Sequence, residues 1–351
     1  MGTGGAENLI AESVSVFKNQ GMAVDVILLN GTATPFLNKL YANGCTPVIL
    51  GMQSVYNPLL IFKIIPLLKK YDIVHVHLFP ALYWVALAKW MSFSKIKLVF
   101  TEHSTSNRRR NNIVFQIIDQ FIYSFYTNII TISDDVDLAI KKSIKNNLKK
   151  FILIKNGINL KLIESGKIYD DAIFEKKGNK KFLIQVSSFQ YPKDQKTLIK
   201  SLLHLPSKFS LFLVGNGILR PECEGLVNTL NLQSRVHFLG IRMDIANLLQ
   251  TADFIVLSSH HEGLSLASIE GLASGKPFIA SDVPGLHEVV AGAGLLFEDG
   301  DYKALAQHIL HLDTNLDFYN QTVKNCLKRA SEFDIEIMVQ KQIQLYNNLL
   351  N

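Results

Sequence analysis

At 351 residues, 48% of them hydrophobic, the chain exceeds one comfortable core and predicts two domains of about 150 to 200 residues each. Cys45, Cys223 and Cys326 are too few and too scattered for a disulfide framework or a metal cluster, which fits a reducing compartment, and the longest apolar run, Val76 to Ala88, contains Pro80 and stops at Lys89, so no spanning helix is expected. The net charge of +6 is uneven: residues 1–155 hold 17 Lys plus Arg against 9 Asp plus Glu, and the rest holds 19 against 21. A basic first half fits an anionic partner such as an acidic lipid surface or a phosphorylated acceptor. Nucleic acid is set aside, because no recognition helix, zinc finger or RNA-binding signature accompanies the charge.

Met1 to Glu7 already reads as a glycine loop and helix start, with Leu9, Ile10, Val14 and Phe17 on one face of a helix from Ala6 to about Gln20. Strands are predicted at Val24–Leu29 and Thr46–Leu50, then a helix over Pro58–Lys70, a buried strand at Asp72–His77 and a helix at Ala81–Met91. Leu98–Glu102 reads as a strand ending at His103. Asn111–Asn128 reads as an apolar helix packed under the sheet, with a membrane-touching face as the lesser alternative. Ile129–Ile132 is a strand, and Ser133-Asp134-Asp135 a helix cap. Lys141, Lys142, Lys145, Lys149 and Lys150 form a basic helix end, favourable towards the helix dipole and towards anions. Ile152–Ile154 closes the first domain, residues 1–158, and the polar stretch from Leu160 to Lys181 is predicted as a linker.

The second domain, residues 159–330, restarts with a strand at Phe182–Ser187 and a helix at Asp194–Leu203. A strand at Phe209–Val214 runs into Gly215-Asn216-Gly217, followed by a helix over Pro221–Leu230, a strand at Val236–Gly240 and a short helix at Ile245–Gln250. Phe254–Leu257 then reads as a buried strand, Ser258–Gly263 as a polar loop, and Leu266, Ile269, Leu272 and Ala273 as a helix face before a strand at Pro277–Ala280. This is one βαβ unit, and open α/β sheets bind ligands beyond the strand C-terminal ends. Glu262 sits in its loop, and Glu270 lies in its helix. The N–H groups of Gly263, Leu264, Ser265 and Leu266 offer an anion seat between the two carboxylates. Leu295–Phe297, Tyr302–Leu312 and a terminal helix at Ile335–Leu350, within residues 331–351, complete the chain.

The stretch from Ala252 to Glu270, ADFIVLSSHHEGLSLASIE, followed by GLASGKPFIASDVPG, resembles the retaining glycosyltransferases of family 4, of the bacterial surface-polysaccharide type. The resemblance implies the GT-B fold, two Rossmann-like α/β/α domains facing each other across a cleft, with the terminal helix crossing back to the first domain. It also implies a strand ahead of Gly4 and Gly5 that this sequence does not show. The implied reaction moves a sugar from a nucleotide sugar, UDP-linked, to a glycan acceptor, lipid-linked, on the cytoplasmic face of the inner membrane. No cofactor or metal is implied, and no aspartate pair or histidine spacing points to a metal.

Within the resemblance, Glu262 orients the transferred sugar and stabilises positive charge at its anomeric carbon, and Glu270 accepts the ribose hydroxyls. Lys193 neutralises the leaving diphosphate; the arginine that usually precedes it by five residues is Ser188 here. Gly4 and Gly5 let backbone approach the phosphates, His103 faces the donor sugar, and Gly215, Gly217 and Ile241 border the nucleotide, with Asp282, Pro284 and Glu288 as further candidates. His75 and His77 share one strand face, as cleft residues or as hydrogen-bonded core histidines. Arg108, Arg109 and Arg110 could meet an anionic acceptor or lipid head groups. A nucleotide-sugar 2-epimerase of the same fold and a catalytically silent partner subunit are the competing readings.

Overall fold

The computed structural model describes residues 5–104, 112–144, 148–169, 174 and 179–351. It divides into two units, Met1–Gly157 with Ile335–Asn351, and Ile158–Asp334. Both are built on parallel sheets with helical crossovers, the Rossmann-like α/β architecture expected from the alternation of apolar runs and helical periods. No helix among the described residues is long and apolar enough to cross a membrane.

In the first unit, among the described residues, β1 (Ile27–Leu28) pairs only with β2 (Val48–Ile49), while β3 (Ile73–His77), β4 (Lys97–Glu102), β5 (Asn128–Thr131) and β6 (Phe151–Leu153) form a second parallel sheet in that order. Val76, Leu98, Phe100 and Ile129 pack against Leu82, Val85 and Ala86 of the helix Ala81–Met91 and against Ile122 and Tyr123 of the helix Ile113–Ser124. The helix predicted over Pro58–Lys70 is broken: Leu60–Ile64 is helical, and a single 3₁₀ turn follows Pro66, whose missing N–H and ring interrupt the ladder. The terminal helix Ile335–Leu350 belongs to this unit; Tyr346 stacks on Phe17 with ring centroids 5.9 Å apart.

The second unit has one six-stranded parallel sheet. Its strands are β7 (Lys181–Val186), β8 (Phe209–Val214), β9 (Val236–Gly240), β10 (Phe254–Leu257), β11 (Phe278–Ser281) and β12 (Leu295–Phe297), in the order β12-β11-β10-β7-β8-β9. Alternate residues such as Leu183, Leu211, Phe254, Val256 and Ile279 face a core shared with Leu198, Val227, Leu305 and Ile309, as the period of two requires. The stretch predicted as a linker is part of this unit. Ile163 and Phe174 are buried, and Phe174 packs on Phe182 and Phe212, so single apolar residues anchor a segment whose average composition is polar.

Four helices among the described residues carried too little apolar period to be predicted, one of them Leu160–Glu164 at the start of the stretch read as a linker. Pro35–Ala42 has both start signals, Thr34 accepting from the Leu37 N–H and proline in the first turn. Leu316–Ala330 buries only Thr322, Cys326 and Ala330. His287–Val290 is a single turn.

Candidate active site

All six strands of the second unit are parallel, so the loops after them gather along one sheet edge. The chain runs outward from β7 to β8 and β9, then returns to the other side of β7 with β10. That reversal is the topological switch point, where open α/β sheets take their ligands. Lys193 follows β7 and Glu262 follows β10, so the two residues flank the switch point. Lys193 Nζ donates to Glu262 Oε1 in a salt bridge whose side chains are only 14% and 10% exposed. A pair so little hydrated holds its geometry, because losing either partner strands the other charge.

The loop backbone fixes this pair from several sides. The His260 N–H donates to Pro192 O at 2.9 Å, the Asp194 N–H to Ser258 O at 3.1 Å, and the Glu262 N–H to Pro284 O at 3.2 Å. Gly285 has φ +83, and a Cβ there would stand 2.2 Å from Glu262 O, so only glycine lets the loop after β11 run this close behind Glu262. Glu288 Oε2 accepts the Gly285 N–H at 2.6 Å, and Asp282 Oδ1 lies 2.6 Å from His287 Nδ1. Glu288 and Asp282 therefore hold the turn. Gln185, buried inside β7, donates to Ser187 Oγ at 2.9 Å and accepts the Ser258 N–H at 3.2 Å, tying the β7 and β10 loops together.

The helix Leu266–Ala273 starts beside Glu262, and its cap Ser265 makes no side-chain hydrogen bond to it. The first amides, at Leu266 and Ala267, have no acceptor within the helix and present the positive end of its dipole. Leu264 is buried, Gly263 has open space where a Cβ would be, and Glu270 is half-buried in the second turn. On the other side, Gly215 and Gly217 let the loop after β8 pack under the loop after β7. A Cβ on Gly215, at φ +133, would lie 2.1 Å from Ser187 O. Ser188 O accepts from Gln195 Nε2 at 2.9 Å. Ile241 is exposed after β9, where Arg242 pairs with Asp244 and packs over the Tyr169 ring, holding the Asp244 carboxyl down to about 2. Lys196 and Arg220 are likewise committed, to Glu222 and Glu224.

Asp194, His260 and Asp299 also converge, with one ligand atom of each within 4.8 Å of the others. His260 Nδ1 lies 2.8 Å from Asp299 Oδ1, while Asp194 caps the helix Gln195–Ser201 through the Thr197 N–H. A surface histidine–carboxylate hydrogen bond and a helix cap account for these contacts.

In the first unit, three imidazoles gather at the ends of β3 and β4. His75 is bonded on both nitrogens, to Tyr346 Oη at 2.5 Å and Thr101 Oγ1 at 2.7 Å. His77 lies on the same face, ring centroids 4.2 Å from His75, and its Nδ1 is 3.1 Å from His103 Nε2. Burial, with the neighbouring imidazoles adding to it, pushes His75 down to about 3 and His77 well below its ordinary value; burial alone takes His103 down to about 4. His103 is therefore a neutral hydrogen-bonding group. Leu78 follows at φ 65, a conformation that bulky side chains avoid and that concentrates at functional sites. Gly5 opens the helix Gly5–Asn19; Gly4 and Arg108, Arg109 and Arg110 lie outside the described residues.

The sequence profile of the family "Glycosyl transferases group 1" matches residues 168–329, and that of "Glycosyltransferase Family 4" matches residues 3–162. The chain belongs to these glycosyltransferases. The glycosyltransferase is 31% identical over 61% of its length to a Campylobacter jejuni N,N'-diacetylbacillosaminyl-diphospho-undecaprenol alpha-1,3-N-acetylgalactosaminyltransferase, of which the match spans 55%. It is 24% identical, over 99% of its length and 94% of the relative's, to an Escherichia coli UDP-Gal:alpha-D-GlcNAc-diphosphoundecaprenol alpha-1,3-galactosyltransferase. Its fold is that of Anabaena HepE solved with UDP-glucose, at TM-score 0.84 and 21% identity, covering 99% of this chain and 97% of that one.

Within the glycosyltransferase, Glu262, Lys193 and the helix start at Leu266 come together at one corner of the second unit. Ser188, Gly215 and Gly217 form the loop layer beside it, and Ile241 follows β9. Sequence reasoning named Pro284 but missed Gln185 and Gly285 as groups that hold this corner. Gln185 left a signal, a lone amide in the otherwise apolar run FLIQV; the contact behind Gly285 left none.

Proposed function

We propose that the protein is a retaining glycosyltransferase that moves a hexosyl or N-acetylhexosaminyl group from a UDP-sugar to a glycan carried on a lipid, in surface polysaccharide biosynthesis. The observation that carries this reading is the Lys193–Glu262 ion pair at the switch point, beside a helix start whose first amides lack intrahelical acceptors. Lys193 and the amides at Leu266 and Ala267 take the diphosphate and stabilise it as it leaves. Glu262, released from Lys193 by that anion, turns to the sugar hydroxyls and to the positive charge developing at the anomeric carbon. Glu270 accepts the ribose hydroxyls, Ser188 and Gly263 contribute backbone along the nucleotide, and His103 donates or accepts one hydrogen bond to a sugar hydroxyl as a neutral imidazole. The donor enters as a substrate. The lipid diphosphate in the names of two relatives supports the acceptor class; a lipid-linked acceptor would in turn be met at the cytoplasmic face of a membrane, with an anionic lipid surface as partner.

The test is mass spectrometry of products from a panel of nucleotide sugars and short lipid-linked glycans, alongside release of free nucleoside diphosphate. A glycan lengthened by one sugar with its donor configuration kept is the expected product. Nucleoside diphosphate release with an epimerised free sugar, or no turnover with any donor, would overturn the reading.

A further inference from the structure

The helix Ile113–Ser124 wears its apolar face outward. The residues it buries are Asp119, Ile122 and Tyr123; Asp119 accepts from Tyr83 and Tyr123 donates to Glu102 Oε2 at 2.7 Å. Ile113 at 69% and Ile117 at 65% exposure stand outside with Val114 and Phe121. A surface helix in water has the opposite arrangement, and the expectation of a helix packed under the sheet is met by only a quarter of its residues, three of twelve. Phe121 meets Trp90 edge-on, ring centroids 6.1 Å apart, which joins the helix to the C-terminal end of Ala81–Met91. That helix end exposes Trp90 and Met91, and the turn after it exposes Phe93. Phe93 is 89% exposed at φ 51, a bulky apolar side chain at a position that glycine or asparagine usually fills.

The rim of this surface is basic. Lys95 and Lys97 are exposed, Lys89 is half-buried with its Nζ on Phe125 O at 3.2 Å and its pKa lowered by that burial and then by the nearby Lys97, and no salt bridge to Lys95 or Lys97 is present among the described residues. The basic cluster read from sequence is weaker than its residue list: Lys141 is paired with Asp137, Lys150 is buried with its Nζ on Tyr123 O at 2.7 Å, and Lys145 lies outside the described residues.

We infer that this face docks on an anionic lipid bilayer, with Ile113, Ile117, Phe121, Trp90 and Phe93 entering the interfacial layer and Lys95 and Lys97 meeting the headgroups. Tryptophan favours that layer, and apolar area with nearby cations is what interfacial attachment uses. A second copy of the chain fits worse, because a two-fold contact sets a patch against itself and would bring like-charged lysines together. The choice of a bilayer rests in part on the lipid-linked acceptor proposed above, so the test is made without donor or acceptor.

Flotation with phosphatidylglycerol–phosphatidylethanolamine vesicles should recover the protein, and added salt should weaken binding without abolishing it. In Trp84→Phe, where Trp90 is the remaining tryptophan, emission should shift to the blue and be quenched by brominated lipid. Phe93→Asn, Ile117→Ser and Phe121→Ser together should weaken binding roughly tenfold or more, and Lys95→Glu with Lys97→Glu should weaken it at low salt. Both variants should keep the wild-type melting temperature and transfer to a water-soluble acceptor. Absence of wild-type binding, unchanged binding by the apolar variant, or a dimer that the same substitutions abolish in a chain that ignores vesicles would overturn the inference.

Discussion

Because Lys193 already holds Glu262, a diphosphate that takes the lysine has to compete with a carboxylate in place. Glu262→Gln removes that competitor while keeping the shape of the side chain. It should leave UDP affinity unchanged or improved and cost about 2 to 4 kcal/mol of transition-state stabilisation, the range for one well-placed charge contact. Glu270→Ala should instead weaken UDP binding. Calorimetric titration beside a turnover assay separates the two, and equal losses of UDP affinity would remove the division of roles. Lys193→Ala should be almost inactive, because Lys196, Arg220 and Arg242 each hold a carboxylate, whereas Ser188→Arg should be tolerated and lower the donor KM. An active Lys193→Ala enzyme would show that another cation neutralises the diphosphate.

The position of Glu262 is a property of three loops, and the one after β11 is the least forgiving. Gly285 sits at φ +83 with Glu262 O where a Cβ would go, while Gly263, a neighbour of the same glutamate, has nothing within 4 Å of that point. Gly285→Ala should therefore lower kcat by about 10²-fold, the effect of a misplacement on the order of 1 Å, and cost about 1 to 3 kcal/mol of stability from backbone strain. Gly263→Ala should change neither by much. Steady-state kinetics with thermal melts test the contrast, and equal effects at both glycines would refute it. The βαβ unit around these loops was legible because buried parallel strands are continuous apolar runs and Glu262 falls between one such run and a helical period. The helix Leu316–Ala330 was not, because it buries threonine, cysteine and alanine. Nor was the Lys193–Glu262 bond, whose partners are 69 residues apart and meet only when β7 and β10 become neighbours. The apolar helix Ile113–Ser124 was visible as an element, but hydrophobicity alone does not say which face is covered.

Across the whole chain, titration divides the two units. The first holds His75 at about 3, His103 at about 4 and His77 well below the ordinary 6.5. The second holds one lowered imidazole, His237, and Asp244 at about 2 against an ordinary 3.8. The sign follows from which state takes the proton. As pH falls below 6.5 the unfolded chain protonates its histidines while the buried imidazoles stay neutral, so stability is lost from about pH 6.5 down to the folded values near 4 and 3. The Asp244 contribution runs oppositely in cause: it is present above 3.8 and is lost only as pH falls from there towards 2. Between these windows the first unit should weaken first. Hydrogen exchange followed by mass spectrometry, corrected for the intrinsic pH dependence, should show peptides of β3 and β4 losing protection from about pH 7 to about pH 5, with β7 and β10 changing less. His75→Gln should flatten that dependence in β3, since it removes one of the three titrating rings while keeping a hydrogen-bonding side chain towards Thr101 and Tyr346. Equal loss of protection in both units, or an unchanged profile in His75→Gln, would mean that the histidine cluster is not what couples the first unit to pH.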